Sequence, residues 1–174
     1  MMKYLHMLLV MCLLMVALPV LANGQSGRPG VAPVTNAEYL EECGGCHFAY
    51  QPGLLPAGSW QNVMAGLDDH FEENAELDAD VRKRLTDYLV KNAADDAAHE
   101  RSRKIMRSLG SKQPLRITQV PYFKKEHREI PARLIKGNDK VKSLANCDAC
   151  HTTAQKGSFS ESAIDIPGYG RWDD

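Results

Sequence analysis

CGGCH at residues 43–47 and CDACH at residues 147–151 determine how this chain is organised. Both stretches read C-x-x-C-H, the pattern by which a c-type haem is attached to a protein. The two thiols of each motif are spaced to form thioether bonds with the two vinyl groups of one haem, and the histidine supplies the proximal nitrogen ligand to the iron. The sequence therefore predicts two covalently bound c-type haems. The predicted thioether residues are Cys43, Cys46, Cys147 and Cys150, and the predicted proximal ligands are His47 and His151.

A structural zinc site and a pair of disulfides are the alternatives for these four cysteines. Zinc sites usually pair thiols across a short loop, whereas Cys46 and Cys147 are about a hundred residues apart. A disulfide or a redox-active dithiol within each motif is compatible with an oxidising compartment. Both alternatives leave unexplained why a histidine directly follows each cysteine pair, and covalent haem attachment is therefore the favoured interpretation.

Residues 1–22 predict a secretory signal peptide that is cleaved after about Ala22 and directs the protein to the periplasm. Lys3 and His6 precede the apolar run Met7–Ala22, which ends in the small and branched residues that signal peptidases read. The run is shorter than the roughly 20 apolar residues that a membrane-spanning helix needs, so an uncleaved anchor is the less favoured alternative. Cys12, the fifth cysteine, lies within the run and would be discarded with the signal.

The composition excludes some partners. The chain of 174 residues carries 21 basic and 22 acidic side chains, for a formal net charge of −1. This balance gives no reason to expect binding to nucleic acid or adhesion to an anionic membrane. Aromatic residues are few, so two buried haems would form a large share of the core. We therefore expect the haem-free chain to fold poorly, as small metal-dependent domains do without their metal.

The chain ahead of and around the first motif predicts a helical unit. Residues 23–34 are rich in glycine, proline and serine and predict a flexible leader. Thr35 and Glu38 have the spacing of a capping box, so a helix is expected to run from there into the first motif. Apolar residues at helical spacing predict a second helix from Trp60 and a third from Leu77 to about Asn92. Residues 35–94 are therefore predicted to form an N-terminal haem domain.

The rest of the chain is less regular. Residues 95–116 are charged and predict an exposed connecting helix that ends at Gly110, followed by a linker. Residues 117–174 predict a C-terminal haem domain, whose tail from Gly157 would wrap over the second haem. The expected fold is mainly α: a regular N-terminal haem unit and a smaller, irregular, loop-rich C-terminal one.

The sixth ligand of each iron has several candidates. His70 follows an apolar helix, and His127 stands between aromatic and apolar residues, so either can point into a core. His99 lies among charged residues, where an exposed side chain is expected. Met64 and Met106 fit the apolar faces of their helices, so core packing explains them better than ligation. We expect His70 and His127 to be the ligands.

The spacing of these histidines leaves their pairing open. His70 comes 23 residues after His47, and His127 comes 24 residues before His151. Each haem could therefore be closed by a histidine of its own unit, or the two units could exchange ligands. The basic pair Lys124–Lys125, next to His127, is either a docking patch for an acidic redox partner or a solvated face, and the second is favoured.

Four stretches of the chain resemble the bacterial soluble dihaem cytochrome c family. They are Glu42–Pro56, Trp60–Ala75, Pro121–Pro131 and Ser143–His151, and the resemblance extends from about residue 38 to residue 167. The resemblance implies an N-terminal part similar to class I cytochrome c and a less regular C-terminal part, each holding one haem. It also implies two histidine ligands for each iron, His47 with His70 and His151 with His127. Nothing in the family pattern requires His99.

The expected function is electron transfer. Family members are similar in carrying electrons between a membrane-bound cytochrome b and an oxygen-binding monohaem cytochrome. The resemblance therefore implies these two types of redox partner. Contact with the membrane is expected only through a docked partner. Two six-coordinate irons would leave no open position for a substrate, which favours outer-sphere electron transfer by a non-enzymatic carrier. The alternatives are a haem enzyme of the peroxidase or reductase type, and a gas-binding module in which His70 or His127 is displaced.

Overall fold

The computed structural model describes residues 29–172. The predicted signal peptide and residues 23–28 of the predicted leader lie outside that range. Within it, five α-helices are joined by short 3-10 turns, and the predicted mainly α fold is confirmed. The α-helices are α1 (Ala37–Gly44), α2 (Ala57–Ala65), α3 (Ala79–Lys91), α4 (Glu100–Leu109) and α5 (Pro121–Glu126). None of the helices described has the length and apolar composition needed to cross a bilayer.

A small hairpin ends the described chain. Strands β1 (Asp165–Ile166) and β2 (Gly170–Arg171) pair antiparallel, with Asp165 opposite Arg171. Ile166 is buried and belongs to the apolar cluster around the second motif. The tail therefore folds back onto that motif.

Helix α1 delivers the first motif. Its cap is Asn36, whose side-chain Oδ1 accepts a hydrogen bond from the Tyr39 backbone N–H at 2.9 Å. The predicted cap at Thr35 is therefore wrong by one residue, because the amide of Asn36 satisfies the free N–H group of the first turn. Cys43 lies in the last turn of the helix, and the rest of the motif follows directly after it.

Helices α2 and α3 pack against each other as the apolar periodicity predicts. Trp60 and Met64 of α2 and Leu85 and Leu89 of α3 are buried in one apolar cluster. Helix α3 is capped by Asn92, where its end is predicted. These helices form a regular scaffold beside the first motif.

Helix α4 ends at Gly110 as predicted, but it is not an exposed connector. Ser102, Ile105 and Leu109 are buried, and the Ser102 hydroxyl donates a hydrogen bond to the Gly53 carbonyl at 2.8 Å. The charged residues that suggested exposure occupy only one face of the helix. Gly110 adopts a φ of 59°, a left-handed conformation that favours glycine at a helix end.

Two apolar clusters of unequal size organise the described residues. The first contains fifteen buried residues and extends from Val31 to Val120, across the predicted boundary at residue 94. The second has three buried residues, Ile135, Val141 and Ile166. The predicted division into haem domains at 35–94 and 117–174 stays a prediction, but the larger cluster also takes in α4 and the turn Ile117–Gln119 that precedes α5.

The described part of the predicted leader is packed, not flexible. Val31 is fully buried, and the backbone N–H groups of Gly30 and Val31 both donate to the Gly157 carbonyl, at 2.8 and 3.1 Å. Gly157 has a φ of 72°, and a Cβ placed there would clash with the Val31 carbonyl oxygen. The close contact with the leader therefore requires glycine at this position.

Two neighbouring side chains connect the first motif to the second. The Tyr50 hydroxyl donates to the Ala145 carbonyl at 2.8 Å, and the Gln51 amide donates to the Ala154 carbonyl at 2.6 Å. Ala145 lies just before the second motif and Ala154 just after it. We call this pair of hydrogen bonds the Tyr50–Gln51 joint, because it fixes both ends of the second motif to the chain that follows the first.

Candidate functional site

The first candidate site brings His47 and His70 together. Their ring centroids lie 6.2 Å apart with an angle of 18° between the ring planes. His47 follows α1, and its Nδ1 donates to the Phe48 carbonyl at 2.8 Å. His70 ends the 3-10 turn Leu67–Asp69, and its backbone N–H donates to the Glu73 carbonyl at 2.7 Å. The two imidazoles thus face each other across a gap.

Unusual backbone conformations hold the His70 loop. Phe71 and Glu72 have φ values of 61° and 83°, in the left-handed region that side chains with a Cβ rarely adopt. The Arg116 guanidinium lies 3.8 Å above the centre of the Phe71 ring, which stabilises the loop by a cation–π contact. Strain of this kind is common at functional sites, where the surrounding structure compensates for it.

The second candidate site brings His127 and His151 together. Their ring centroids lie 6.0 Å apart, with the planes at 76°. His127 directly follows α5, stacks on the Phe123 ring at 3.9 Å and contacts the Phe123 carbonyl through Nδ1 at 2.8 Å. The backbone N–H of His151 donates to the Cys147 carbonyl at 2.9 Å, and the Phe159 ring contacts its imidazole edge-on at 5.3 Å.

A cavity of about 570 Å³ lies between these two histidines. Its walls include both thiols of the second motif, and its volume falls within the roughly 300–1,000 Å³ of cofactor and drug-sized ligand pockets. Apolar side chains from α5, the hairpin and the intervening turns form much of the remaining wall. They include Val120, Phe123, Ile130, Ile135, Val141 and Ile166.

Both histidine pairs fit the axial ligands of a haem. A protein nitrogen binds a divalent metal at about 2 Å, so two imidazoles on opposite sides of one metal have ring centroids about 6 Å apart. The measured separations of 6.2 and 6.0 Å agree with this spacing. The residues present therefore fit two haems.

Burial sets the protonation of the second site. It lowers the pKa of His151 to about 4, with smaller contributions from the neighbouring His127 and Arg101. Burial also raises the pKa of the Cys147 thiol to about 12, and it raises that of Cys150. At neutral pH the imidazole is uncharged, as a metal ligand must be, and both thiols are protonated.

The first site follows the same pattern more weakly. Burial, followed by the charges of His47 and Arg116, lowers the pKa of His70, and burial raises the pKa of Cys43 to about 11. The four cysteines of the described chain form no disulfide with one another, and residues 29–172 contain no cluster of three or more histidine, cysteine or acidic side chains that could hold a bare metal ion.

The other candidate ligands lie elsewhere. His99 caps the N-terminus of α4, and its Nδ1 lies 3.3 Å from the Pro29 carbonyl oxygen. Met64 is buried in the first apolar cluster, and Met106 packs against that cluster. None of the three belongs to either histidine pair.

Sequence reasoning missed Arg101 and Tyr50. Arg101 lines the cavity of the second site, but the charged run around it indicated an exposed helix. Tyr50 lies three residues after His47, and the two rings are in contact at 5.1 Å. Its position directly after the first motif was the available signal, although its partner 95 residues away was not predictable.

Comparison with known proteins places these sites in a family context. Residues 39–159 match the model of the dihaem cytochrome c family. The X-ray structure of a dihaem cytochrome c from Shewanella baltica OS155 is 43% identical, with a TM-score of 0.67, over 79% of this chain and 98% of that one. A dihaem cytochrome c from Rhodobacter sphaeroides is 42% identical, with a TM-score of 0.66, over 74% of this chain and 100% of that one. The search among curated proteins found no match.

Proposed function

The chain belongs to the dihaem cytochrome c family and carries two covalently bound c-type haems, and from this premise we propose that it is a periplasmic shuttle that passes electrons between redox partners by outer-sphere transfer. Membership of the family itself indicates an electron-carrier role. The finer proposal concerns how the chain holds its haems and where it works.

The separation of the histidine rings carries the proposal. His47 with His70, and His127 with His151, would each hold the iron of one haem. An iron bound by two histidines in addition to the haem ring would have no position open for a substrate or a gas. The bound haem then supplies a one-electron change at the iron, and catalysis of bond-making is not required.

Backbone carbonyls orient the imidazoles. Nδ1 of His47 lies 2.8 Å from the Phe48 carbonyl oxygen, and Nδ1 of His127 lies 2.8 Å from the Phe123 carbonyl oxygen. A carbonyl can only accept, so Nδ1 carries the proton and Nε2 is left with the free lone pair for iron. Such contacts fix the ring and make it a stronger ligand. This supports roles for His47 and His127 as ligands. The C-x-x-C-H spacing supports Cys43, Cys46, Cys147 and Cys150 as the thioether residues.

Export and partners complete the proposal. The predicted signal peptide, residues 1–22, supports a periplasmic location, where c-type haem proteins are commonly found. By resemblance to the family, we propose a membrane-bound cytochrome b as electron donor and an oxygen-binding monohaem cytochrome as acceptor. The chain would then meet the membrane only through its docked donor.

Absorption spectra with carbon monoxide test the closed-site proposal. The purified haem-loaded protein should give low-spin spectra in both oxidation states, and the reduced spectrum should not change when carbon monoxide is added. Rapid carbon monoxide binding at either haem would overturn the proposal and favour a haem enzyme or a gas-binding module.

A further inference from the structure

Arg101 is a half-buried cation in the wall of the second cavity. It lies on α4, and its guanidinium donates hydrogen bonds to the Tyr122 hydroxyl at 3.3 Å and to the Phe159 carbonyl at 3.1 Å. Its central carbon lies 5.8 Å from the centre of the Tyr122 ring and 5.4 Å from that of the Phe159 ring. The side chain is therefore held in one place between two aromatic rings.

Arg101 forms no salt bridge among the described residues, although Glu100, Glu126 and Glu161 also line the cavity. Its Nε is buried without a hydrogen-bond acceptor. The other cation of α4 that lines the cavity, Lys104, is already paired with Glu100 at 2.8 Å. A partly buried charge without a counter-ion is unfavourable, so the position of Arg101 is costly unless an anion joins it.

The fold keeps Arg101 close to the second pair of histidines. A Cβ placed at Gly30 would lie 3.0 Å from Nε of Arg101, so the Gly30 backbone lies directly against the Arg101 side chain. Phe159, which accepts one of the guanidinium bonds, also contacts the His151 ring. The guanidinium is thus within electrostatic reach of an iron ligand.

We propose that Arg101 pairs with a propionate carboxylate of the second haem and raises the redox potential of that haem. The proposal deepens and rests on the electron-carrier function. The planar guanidinium matches a carboxylate better than any other cationic side chain. A fixed positive charge near the iron favours the reduced state, which has one positive charge fewer.

Variants at two arginines of α4 separate this role from a purely structural one. Arg101→Gln removes the charge inside the cavity, whereas Arg103→Gln removes the same charge from an exposed position on the same helix. Arg101→Lys keeps the charge and loses the planar contacts. The measurement is a spectroelectrochemical titration of the haem-loaded protein, with the second haem identified as the one that becomes high-spin in His127→Ala.

The expected result is a fall in the midpoint potential of the second haem alone in Arg101→Gln, no fall in Arg103→Gln, and recovery of most of the potential in Arg101→Lys. Unchanged potentials in Arg101→Gln, or a shift no larger than that of Arg103→Gln, would overturn the proposal. A fall that Arg101→Lys fails to reverse would also overturn it.

A structure of the unaltered haem-loaded protein supplies a second test that needs no variant to fold. The guanidinium should lie within hydrogen-bond distance of a propionate; contacts only to Tyr122 and Phe159 would refute the pairing. The two proposals fail separately. Carbon monoxide binding defeats the closed-site carrier even if Arg101 shifts the potential, and an unshifted potential defeats only the role of Arg101.

Discussion

The two histidine pairs have nearly equal ring separations but very different surroundings. His47 is exposed, His70 is half-buried, and both stand beside the regular helices of the larger apolar cluster. His127 and His151 line a partly open cavity, and the apolar cluster next to it has only three buried residues of its own among those described. Apolar side chains thus form the core beside the first haem. In the second region the haem itself must fill most of the core.

Removing the cysteines should give the largest difference between the regions. In Cys147→Ala/Cys150→Ala the second haem is not attached, and we expect residues 132–172 to lose their fixed structure because their cavity has nothing to fill it. In Cys43→Ala/Cys46→Ala helices α2, α3 and α4 should stay folded on their own apolar cluster. Amide hydrogen exchange measures both outcomes.

The haem content of each variant is the control for this pair. Each double variant should retain one haem per chain. If α2, α3 and α4 lose protection as completely as residues 132–172 do, the proposed difference between the regions is wrong.

Removing His70 or His127 alone should change one haem at a time. We expect His70→Ala and His127→Ala each to turn one haem high-spin and open it to carbon monoxide, because each leaves one axial position empty. His99→Ala, just before the N-terminus of α4 and outside both histidine pairs, is the matched control and should keep both haems low-spin. A high-spin haem in His99→Ala, with unchanged spectra in the other two, would show that the pairing is misassigned.

The haem at the second site, the more buried of the two, should have the higher redox potential. With two histidine ligands on each iron, as proposed, ligand type does not distinguish the two haems, so burial and the charge of Arg101 do. The less polar surroundings at His127 and His151 disfavour the additional charge of the oxidised haem. A redox titration should therefore reduce the second haem first. Reduction of the first haem at the higher potential would indicate that solvent exposure does not control the order.

A smaller effect is expected when the two regions are uncoupled. Tyr50→Phe removes one hydrogen bond of the Tyr50–Gln51 joint and should lower the free energy of unfolding by about 1 kcal/mol. For a chain of this size that corresponds to about 2–4 °C in the midpoint of thermal unfolding. Two separate thermal unfolding transitions in Tyr50→Phe would show that the Tyr50–Gln51 joint couples the two regions.

Tyr39→Phe is the control for the joint. The Tyr39 hydroxyl also donates to a backbone carbonyl at 2.8 Å, that of Tyr50, but the bond stays within the first region. A similar loss of stability is expected, without separation of the two transitions. If both variants separate them, the joint has no special role.

Local features were predictable from the sequence. The two motifs identified the cofactors, and apolar spacing located α2 and α3, because a helix that packs on one side repeats its apolar residues every three to four positions. The residues His70 and His127 were also picked out as candidate ligands. The structure places each opposite the histidine that the family resemblance pairs it with, although their role as ligands stays a prediction.

Features that depend on distant contacts were not predictable. Residues 29–34 contain glycine and proline and indicate flexibility, yet Val31 is buried in the larger apolar cluster and its backbone N–H donates to the Gly157 carbonyl. The charged sequence of α4 concealed its buried face and the position of Arg101. In both cases the partner lies in another part of the chain, and no local pattern indicates which one.

The hydrogen bonds from Gly30 and Val31 to Gly157 also determine when the fold can be completed. They join residues near the two ends of the described chain, and contacts between such distant residues form late because closing a long loop costs chain entropy. Until that contact forms, the segment that covers Arg101 lacks the Gly157 acceptor for its N–H groups. The wall of the second cavity at Gly30 is therefore completed only when residues 30–31 and residue 157 come together.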